Sequence, residues 1–314
     1  MEAAKKGKIL IIGATGYLGK YLTEGSLRLG HPTFILVRES TINTNSEKAK
    51  VIKDFKDAGA TVLYGDLHDH ESLVKAIKLV DIVFSTMGHE HPEQLASQIN
   101  IVSAIKEAGN VKRYFPSEFG VDVGRIQLLE PAKSVLGIKV KIRQAIRMAG
   151  IPFTFVSSNL CATYFLSRLG QVEGDGTPKD EVSIMGDGNA KVIFVCEQDM
   201  ATYAIKAAED PRTLNKILYV RPPANIYSQN ELVSLWEKKT KNTLRRTYLS
   251  EEEVMKKIQD APYAVSFIYA IAHACFMKGE LTNFEIDPSM GIEASNLYCE
   301  VKYITVDEYL DKFI

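Results

Sequence analysis

A glycine triplet near the start of the chain has the residue types and spacing of a phosphate-binding turn. In the segment IIGATGYLGKYL, Gly13, Gly16 and Gly19 follow a short apolar run and open a helical pattern. Glycine permits a tight turn and lets phosphate oxygens approach backbone N–H groups, while the helix N-terminus supplies positive potential. The segment therefore predicts a dinucleotide site. Its candidate cofactor-binding residues are Gly13, Ala14, Thr15, Gly16, Tyr17, Leu18 and Gly19.

A second candidate is Lys139, which interrupts an apolar helical stripe. Val135, Ile138 and Ile142 recur at three- and four-residue steps, the pattern of a helix face that packs against a core. A buried ammonium is costly unless it is paired or loses its proton. A fall in its pKa from about 10.4 to about 7 or 8, roughly 3 units or about 4 kcal/mol, would suit a general base. The pattern alone also allows a lysine that snorkels to solvent. The neighbours predicted on the polar side are Lys141, Arg143, Gln144 and Arg147.

The end of the second predicted strand indicates which dinucleotide binds. A site for NAD usually has an acidic residue there, whereas this chain reads LVRES, with Arg38 at that point. A guanidinium can hold a 2′-phosphate through two hydrogen bonds, and Lys48 could add a point charge. The alternative is a solvated basic loop. We therefore predict NADP(H) rather than NAD(H).

Two further strand ends should border the cofactor. The segments STMG (85–88) and PSEFG (116–120) lie at the carboxyl edge of the predicted sheet, where ligands of open α/β folds bind. Thr86, Met87 and Ser117 are therefore candidates to line the nicotinamide half, although they could simply be strand termini.

The elements that must position these residues alternate between short strands and longer helices up to about residue 157. Such alternation predicts βαβ units and a parallel sheet covered on both faces. The predicted strands are 8–13, 33–38, 61–65, 81–86, 113–116 and 153–158. After residue 160 the pattern loosens, with a loop at 170–181, strands at 181–186 and 216–221, helices at 234–240 and 250–261, and a helical segment at 241–280 that could form a pocket wall.

The predicted fold is a Rossmann-type doubly wound parallel sheet with a smaller mixed α/β substrate lobe. We expect residues 1–158 to form the NADP-binding domain. Residues 159–314 should form mainly the substrate-binding lobe, with some segments returning to the sheet.

Composition excludes several other classes of protein. The 314 residues carry a net charge of −1, which gives no reason to expect nucleic acid or an anionic membrane as partner. No run of about 18 apolar residues could span a bilayer. His89 and His91 without further clustered ligands make a poor metal site, so no metal is predicted. The four cysteines lack C-x-x-C spacing, which favours a reducing compartment. We predict a cytoplasmic protein; a homodimer is considered, but the sequence does not determine the oligomeric state.

Taken together, the motifs resemble the plant isoflavone reductase-like proteins, an NADP-dependent, NmrA-like branch of the atypical short-chain dehydrogenases. The resemblance covers essentially the whole chain and is greatest to the phenylcoumaran benzylic ether reductases. The segments that carry it are GATGYLG, VRES, IKEAGNVKRYFPSEFG, EPAK, GIPFTFVSSN, GDGNAK, KGELTNFEIDPS and YITVDEYLDKF. In that family the lysine of the motif similar to IKVKIR is catalytic, and here it aligns on Lys139. The tyrosine that ordinary short-chain dehydrogenases have four residues earlier is replaced by Val135.

The resemblance also implies further site residues. Lys139 and Asn159 should contact the cofactor as well. His273 could hydrogen-bond a substrate oxygen or protonate a leaving alkoxide, but a core histidine is the alternative, as a core position is for Tyr164. The predicted substrate-binding residues are Met87, His89, Leu160, Cys161, Tyr164 and His273.

The implied reaction is NADPH-dependent reductive cleavage of a benzylic ether in a small phenolic phenylpropanoid or lignan. Lys139 would take the phenol proton, a quinone methide would form, and hydride from NADPH would reduce it. The alternatives are a eugenol or isoeugenol synthase that acts on coniferyl esters, a pinoresinol-type lignan reductase, an isoflavone reductase, and a non-catalytic NADP-sensing regulator. Leu160 and Cys161 replace two aromatic residues that many ether reductases have, and the loop at 88–98 is longer by two residues. These departures leave the exact substrate open.

Overall fold

The computed structural model describes residues 6–314; the first five residues of the predicted domain 1–158 lie outside the described residues. The strands are β1 (Ile9–Ile12), β2 (Thr33–Val37), β3 (Thr61–Tyr64), β4 (Ile82–Ser85), β5 (Arg113–Phe115), β6 (Thr154–Ser157), β7 (Leu160–Cys161), β8 (Glu181–Met185), β9 (Val192–Val195), β10 (Lys216–Tyr219), β11 (Ile226–Tyr227), β12 (Arg245–Leu249) and β13 (Gly291–Glu293).

The helices lie between and after these strands. They are α1 (Tyr17–Arg28), α2 (Glu39–Thr44), α3 (Ser46–Asp57), α4 (His70–Ile77), α5 (Pro92–Ala96), α6 (Gln98–Ala108), α7 (Ala132–Met148), α8 (Ala162–Phe165), α9 (Glu197–Lys206), α10 (Gln229–Thr240), α11 (Glu251–Asp260), α12 (Tyr263–Ala272), α13 (Ala294–Leu297) and α14 (Val306–Leu310). A π-helical turn over His273–Met277 continues α12.

A parallel sheet forms the centre of the molecule. Five strands run in the order β3-β2-β1-β4-β5, all parallel. A parallel bridge between Tyr114 and Phe153 joins the β5 edge to β6, and β10 and β13 extend the sheet beyond β6. Each of the six strands predicted before residue 159 is present, with ends that differ by one residue at most. The predicted Rossmann-type class is confirmed.

Alternate residues of β1 show why this sheet is wound on both faces. Ile9 and Ile11 pack into one hydrophobic cluster, whereas Leu10 and Ile12 pack into a second cluster on the other face. Successive side chains of a strand point to opposite faces, so a strand buried on both sides must be apolar at every position. This requirement explains the uninterrupted ILII run.

The second half of the chain contributes strands both to the central sheet and to a smaller lobe. The strand predicted at 216–221 is β10, which pairs with β6 and so lies in the central sheet. The smaller lobe contains a β7-β9-β11 sheet and a parallel β8-β12 pair. Helices α10 and α11 occupy the predicted segments, each opened by a Ser–Glu capping box at Ser228 and Ser250. Of the helices within residues 6–314, none has the length and apolar character needed to cross a membrane.

Candidate active site

A cavity of about 800 Å³ lies at the carboxyl edge of the central sheet. Its volume falls within the range of about 300–1,000 Å³ that small-molecule sites occupy. One side consists of the loops that follow β1, β2, β4 and β5, and the other side of β7, α8 and α12. Among the predicted residues, those that line it are Gly13, Thr15, Gly16, Tyr17, Leu18, Arg38, Lys48, Thr86, Met87, His89, Ser117, Lys139, Asn159, Leu160, Cys161 and Tyr164.

The glycine loop has the geometry of a phosphate-binding turn. Gly13 has φ of +90°, and a Cβ there would lie 2.5 Å from Thr86 Oγ1. A Cβ on Gly19 would lie 2.0 Å from the Gly13 carbonyl oxygen, so only glycine lets α1 pack this closely. Gly16 caps α1 without a side-chain hydrogen bond, which leaves first-turn N–H groups for an anion. Ala14 and Gly19 shape this turn but do not line the cavity.

Two cations lie at the far end of the same cavity. Arg38 follows β2 and precedes α2, and Lys48 lies in the first turn of α3. Both side chains are exposed, and neither forms an ion pair within residues 6–314. Their charges are therefore free to meet an anionic group such as a ribose 2′-phosphate.

Lys139 lies on α7 and is 9% exposed. Its Nζ donates a hydrogen bond of 2.7 Å to the backbone carbonyl of Glu118. Burial lowers the pKa of Lys139 below the usual lysine value; Arg143 acts in the same direction, whereas the charge of Glu118 opposes it. The direction of this shift is the one that a general base requires.

A buried ion cluster supports the segment that receives Lys139. The Arg143 guanidinium donates to both carboxylate oxygens of Glu118, at 2.9 and 2.8 Å, and to Asp122 Oδ1 at 2.7 Å. The Tyr219 hydroxyl donates to Asp122 Oδ2 at 2.6 Å. The prediction that Arg143 lies on the polar side of the helix is wrong, because it is 3% exposed and two carboxylates neutralise it. Its position four residues after Lys139, on the same helix face, was the available signal.

The turn next to this cluster has unusual backbone geometry. Phe119 has φ of +40° and Asn159 has φ of +61°, both in the left-handed region. Bulky residues seldom adopt that region, and such strain collects at functional sites. The Asn159 N–H donates to the Gly120 carbonyl at 3.0 Å, and its Nδ2 donates to the Val220 carbonyl at 2.7 Å. These bonds hold the loop that presents the Glu118 carbonyl.

The wall opposite the glycine loop is apolar and aromatic. The His89 ring stacks on Phe267 of α12, with centroids 4.6 Å apart. Burial lowers the pKa of His89, and the charge of Lys139 lowers it further, so the neutral imidazole is favoured. Burial raises the pKa of Cys161 to about 12 and keeps that thiol protonated. Tyr164 is about half exposed and lies at the mouth.

The structure does not bring His273 into the cavity. This histidine is buried outside the cavity lining, and its Nε2 lies 2.9 Å from Glu251 Oε1. The π-helical turn that begins at His273 directs the side chain to α11 rather than to the substrate wall. Its position is that of a core histidine, the alternative considered in the sequence analysis. Sequence periodicity could not distinguish the two sides of this apolar helix.

Among the lining residues that sequence reasoning missed, two groups stand out. One group follows β3, where the strand-end argument that selected Thr86 was not applied; its members are Asp66, Leu67 and His68. The other lies on α12, within the segment predicted as a pocket wall; its members are Phe267, Ile268 and Ile271. Within residues 6–314, no group of three or more His, Cys, Asp or Glu side chains is placed to hold a metal ion.

Comparisons with known proteins match the whole chain. Phenylcoumaran benzylic ether reductase POP1 of Populus trichocarpa is 57% identical over 307 residues, which cover 98% of this chain and 99% of that protein. Eugenol synthase 1 of Petunia hybrida is 56% identical over 310 residues, 99% of each chain. The solved structure "AtPrR2 with NADP+ and (+)pinoresinol" has a TM-score of 0.94 at 41% identity and covers 99% of this chain and 100% of that one.

The sequence model of the NmrA-like family matches residues 5–310, nearly the full length. The resemblance drawn from the motifs is thereby confirmed, and the chain belongs to the NmrA-like family.

Proposed function

We propose that this protein opens the benzylic ether of a phenolic phenylpropanoid, with Lys139 as general base. At the coarser level the chain is an NADPH-dependent reductase of the phenylpropanoid class, in line with its relatives. The observation that carries the finer proposal is one buried amine of lowered pKa, on the wall of a cavity that also contains the glycine loop.

The residues of the cavity fit NADPH. A side chain at Gly13 or Gly19 would clash with neighbouring atoms, so the turn is restricted to glycine at both positions. The turn leaves N–H groups of α1 free for the diphosphate. Arg38 and Lys48 would hold the 2′-phosphate, while Thr86, Met87, Ser117 and Asn159 would border the nicotinamide. The Ser117 hydroxyl donates to the Met87 carbonyl at 2.7 Å, which joins these two strand ends. When bound, NADPH supplies the hydride.

The chain's own residues act on the substrate phenol. Neutral Lys139 accepts the phenol proton, and the resulting phenolate pushes its electron pair through the ring to expel the benzylic oxygen. The products of this step are a quinone methide and a phenoxide leaving group that stays attached to the same molecule. Hydride addition at the benzylic carbon restores the aromatic ring and regenerates the first phenolate. The lysine proton neutralises one of the two phenolate oxygens, and a proton from solvent neutralises the other. Met87, His89, Leu160, Cys161 and Tyr164 would surround the substrate.

The same cavity would suit related reactions. Eugenol synthase 1 of Petunia hybrida is nearly as similar as the ether reductase, so identity alone does not separate the two activities. A phenylpropene synthase would use the same lysine but would release a carboxylate from an ester. Pinoresinol-type and isoflavone reduction are further candidates. The proposal also includes a cytoplasmic location and a homodimer, which fractionation and sedimentation would test.

The first experiment measures NADPH oxidation with dehydrodiconiferyl alcohol and coniferyl acetate in parallel, with products identified by mass. Ring opening of the first substrate, with all carbons retained, supports the proposal. Turnover of the second alone assigns phenylpropene synthesis instead. If neither reacts while NADPH binds, both ether cleavage and phenylpropene synthesis are excluded, which leaves the pinoresinol-type, isoflavone and regulator alternatives.

Substitution of the lysine tests the mechanism. We expect Lys139→Ala to reduce kcat at least about 100-fold, because proton transfer is lost, while NADPH still binds. Lys141→Ala is the matched control, since Lys141 is exposed on the same helix and lies outside the cavity lining. Unchanged turnover in Lys139→Ala would remove this lysine from the mechanism.

A further inference from the structure

A buried carboxyl group joins the two walls of the cavity. Glu197 begins α9 and is 1% exposed. Its Oε1 accepts from the Tyr17 hydroxyl and from the Thr163 backbone N–H at 3.2 Å, and its Oε2 accepts from the Thr163 hydroxyl at 3.0 Å. Among residues 6–314 no lysine, arginine or histidine forms an ion pair with it. Three donors thus satisfy a buried acceptor that lies outside the cavity lining.

The two ends of this connection belong to opposite walls. Tyr17 is the first residue of α1 and lines the cavity within the glycine loop. Thr163 lies in α8, between the lining residues Cys161 and Tyr164. Both residues are distant from Glu197 in the chain. Tyr17 precedes Glu197 by 180 positions, and Thr163 precedes it by 34.

The contacts at each end restrict movement. The Tyr17 ring is about half exposed and packs edge-on against Tyr21 of the same helix, so its hydroxyl bond is the contact that ties it to Glu197 of another helix. On the other side, the Tyr309 hydroxyl donates to Thr163 Oγ1 at 3.1 Å and leaves the Thr163 proton directed at Glu197. A shift of either wall must therefore break or lengthen a bond to the same carboxyl group.

We propose that Glu197 is a positioning residue that couples the glycine loop, through Tyr17, to the substrate wall, through Thr163. Ordering of the loop by bound cofactor and ordering of α8 by bound substrate then assist each other. Because such coupling is reciprocal, each ligand raises the affinity for the other by the same factor. The cofactor side of this inference depends on NADPH binding alone, whereas the substrate side rests on the proposed function.

One test needs no substrate. The purified full-length protein is titrated with NADPH, and binding is monitored by the fluorescence of NADPH. Thr163→Val removes the Thr163 hydroxyl from the substrate wall. This hydroxyl is at the opposite end of the Tyr17–Glu197–Thr163 connection from the glycine loop. We expect this variant to weaken NADPH binding by about threefold, and Glu197→Gln or Tyr17→Phe by about fivefold or more. In the double variant Tyr17→Phe/Thr163→Val, we expect a loss smaller than the product of the two single losses, because both act through one carboxyl group.

Asp199→Asn is the matched control. Asp199 is a second buried carboxyl group on α9, but it accepts from the Ile304 N–H at 2.8 Å and lies outside the cavity lining. It should bind NADPH as the unmodified protein does. Native NADPH affinity in Thr163→Val, or a double variant whose loss equals the product, would overturn the coupling. Should Glu197→Gln fail to fold, the cycle between Tyr17 and Thr163 still decides the question.

A second measurement addresses the substrate side. With dehydrodiconiferyl alcohol, Tyr17→Phe should raise the substrate KM by about threefold and leave kcat within about twofold, since the change affects positioning rather than chemistry. An unchanged KM in a variant that turns over normally contradicts the substrate side. If the unmodified protein does not act on this alcohol, the proposed function fails, while the NADPH titrations still test Glu197.

Discussion

At the residue scale, the site depends on what burial does to individual charges. Lys139 is buried with one hydrogen bond, to a neutral carbonyl, and burial outweighs the attraction of nearby negative groups. Arg143, four residues later, is just as deeply buried, but burial there is offset by Glu118 and Asp122, and its pKa is raised. One helix face thus contains a cation prepared to lose its proton and another that retains it.

The pKa of Lys139 predicts how stability changes with pH. Because this pKa is lower in the folded protein than in the unfolded chain, the charged lysine reduces the free energy of unfolding. That deficit is complete below the folded pKa and disappears as the pH rises to the unfolded value of about 10.4. The free energy of unfolding of Lys139→Met should therefore exceed that of the unmodified protein by less at pH 10 than at pH 7. Urea denaturation at both pH values measures it, with exposed Lys141→Met as control; a pH-independent difference would contradict the assignment.

Arg38 predicts the choice between the two nicotinamide cofactors. If Arg38 holds the 2′-phosphate as proposed, its removal deletes a charge-assisted contact to a group that NADH lacks. We expect Arg38→Ala to lower the ratio of kcat/KM for NADPH over NADH by about 10- to 100-fold, and Lys48→Ala to lower it less. Lys50→Ala, an exposed change on α3 away from the cavity, should leave the ratio unchanged. An unaltered ratio in Arg38→Ala would place the 2′-phosphate elsewhere.

At the element scale, α7 and the turn after β5 form one hydrogen-bonded unit. The helix supplies Lys139 and Arg143, and the turn supplies the Glu118 carbonyl and carboxylate that they bind. The bonds to Glu118 fix the residue before Phe119, and the Asn159 N–H bond to the Gly120 carbonyl fixes the residue after it, which allows the strained φ of Phe119 to persist. The position of Lys139 therefore depends on Arg143, although Arg143 does not line the cavity.

This dependence predicts the effect of a conservative change. Arg143→Lys keeps the charge but cannot hold Glu118 in two places and Asp122 at once. We expect kcat to fall by about tenfold or more through misplacement of Lys139, with NADPH affinity unchanged. Arg147→Lys, one turn later on the exposed side of α7, should retain full activity. A normal kcat in Arg143→Lys would show that the turn after β5 keeps its shape without the guanidinium contacts to Glu118 and Asp122.

At the scale of the whole molecule, buried polar contacts join segments that are distant in sequence. Asp199 of α9 accepts from the Ile304 N–H, which ties the segment before α14 to the helix that packs on α1. Burial raises the pKa of Asp199 to about 6, above the ordinary value of an aspartate. Compared with the unfolded chain, the folded protein therefore shifts this group toward its protonated form.

Stability should follow that shift. A raised carboxyl pKa contributes stability that is present below the unfolded value of about 3.9 and is lost as the pH rises through about 6. Relative to the unmodified protein, Asp199→Asn should gain up to about 3 kcal/mol in free energy of unfolding between pH 4 and pH 7, from a shift of about 2 units. Denaturant titrations at the two pH values measure this, and an equal difference at both would contradict it.

The sequence by itself determined the features that local rules govern. The glycine loop, the six strands before residue 159, Arg38 at the end of β2 and the apolar stripe around Lys139 follow from backbone sterics and periodicity. These constraints act over a few residues, so they can be seen without a fold. The fold class and the cofactor followed from the same patterns together with the family resemblance.

Only the tertiary structure decided which distant residues meet. Arg143 is buried because Glu118, 25 positions away, turns toward it, and Glu197 reaches a tyrosine 180 positions earlier. His273 points to Glu251 rather than to the cavity, although its apolar helix allowed either side. A polar side chain takes its environment from whatever partner the packed chain brings to it, and periodicity carries no information about that partner.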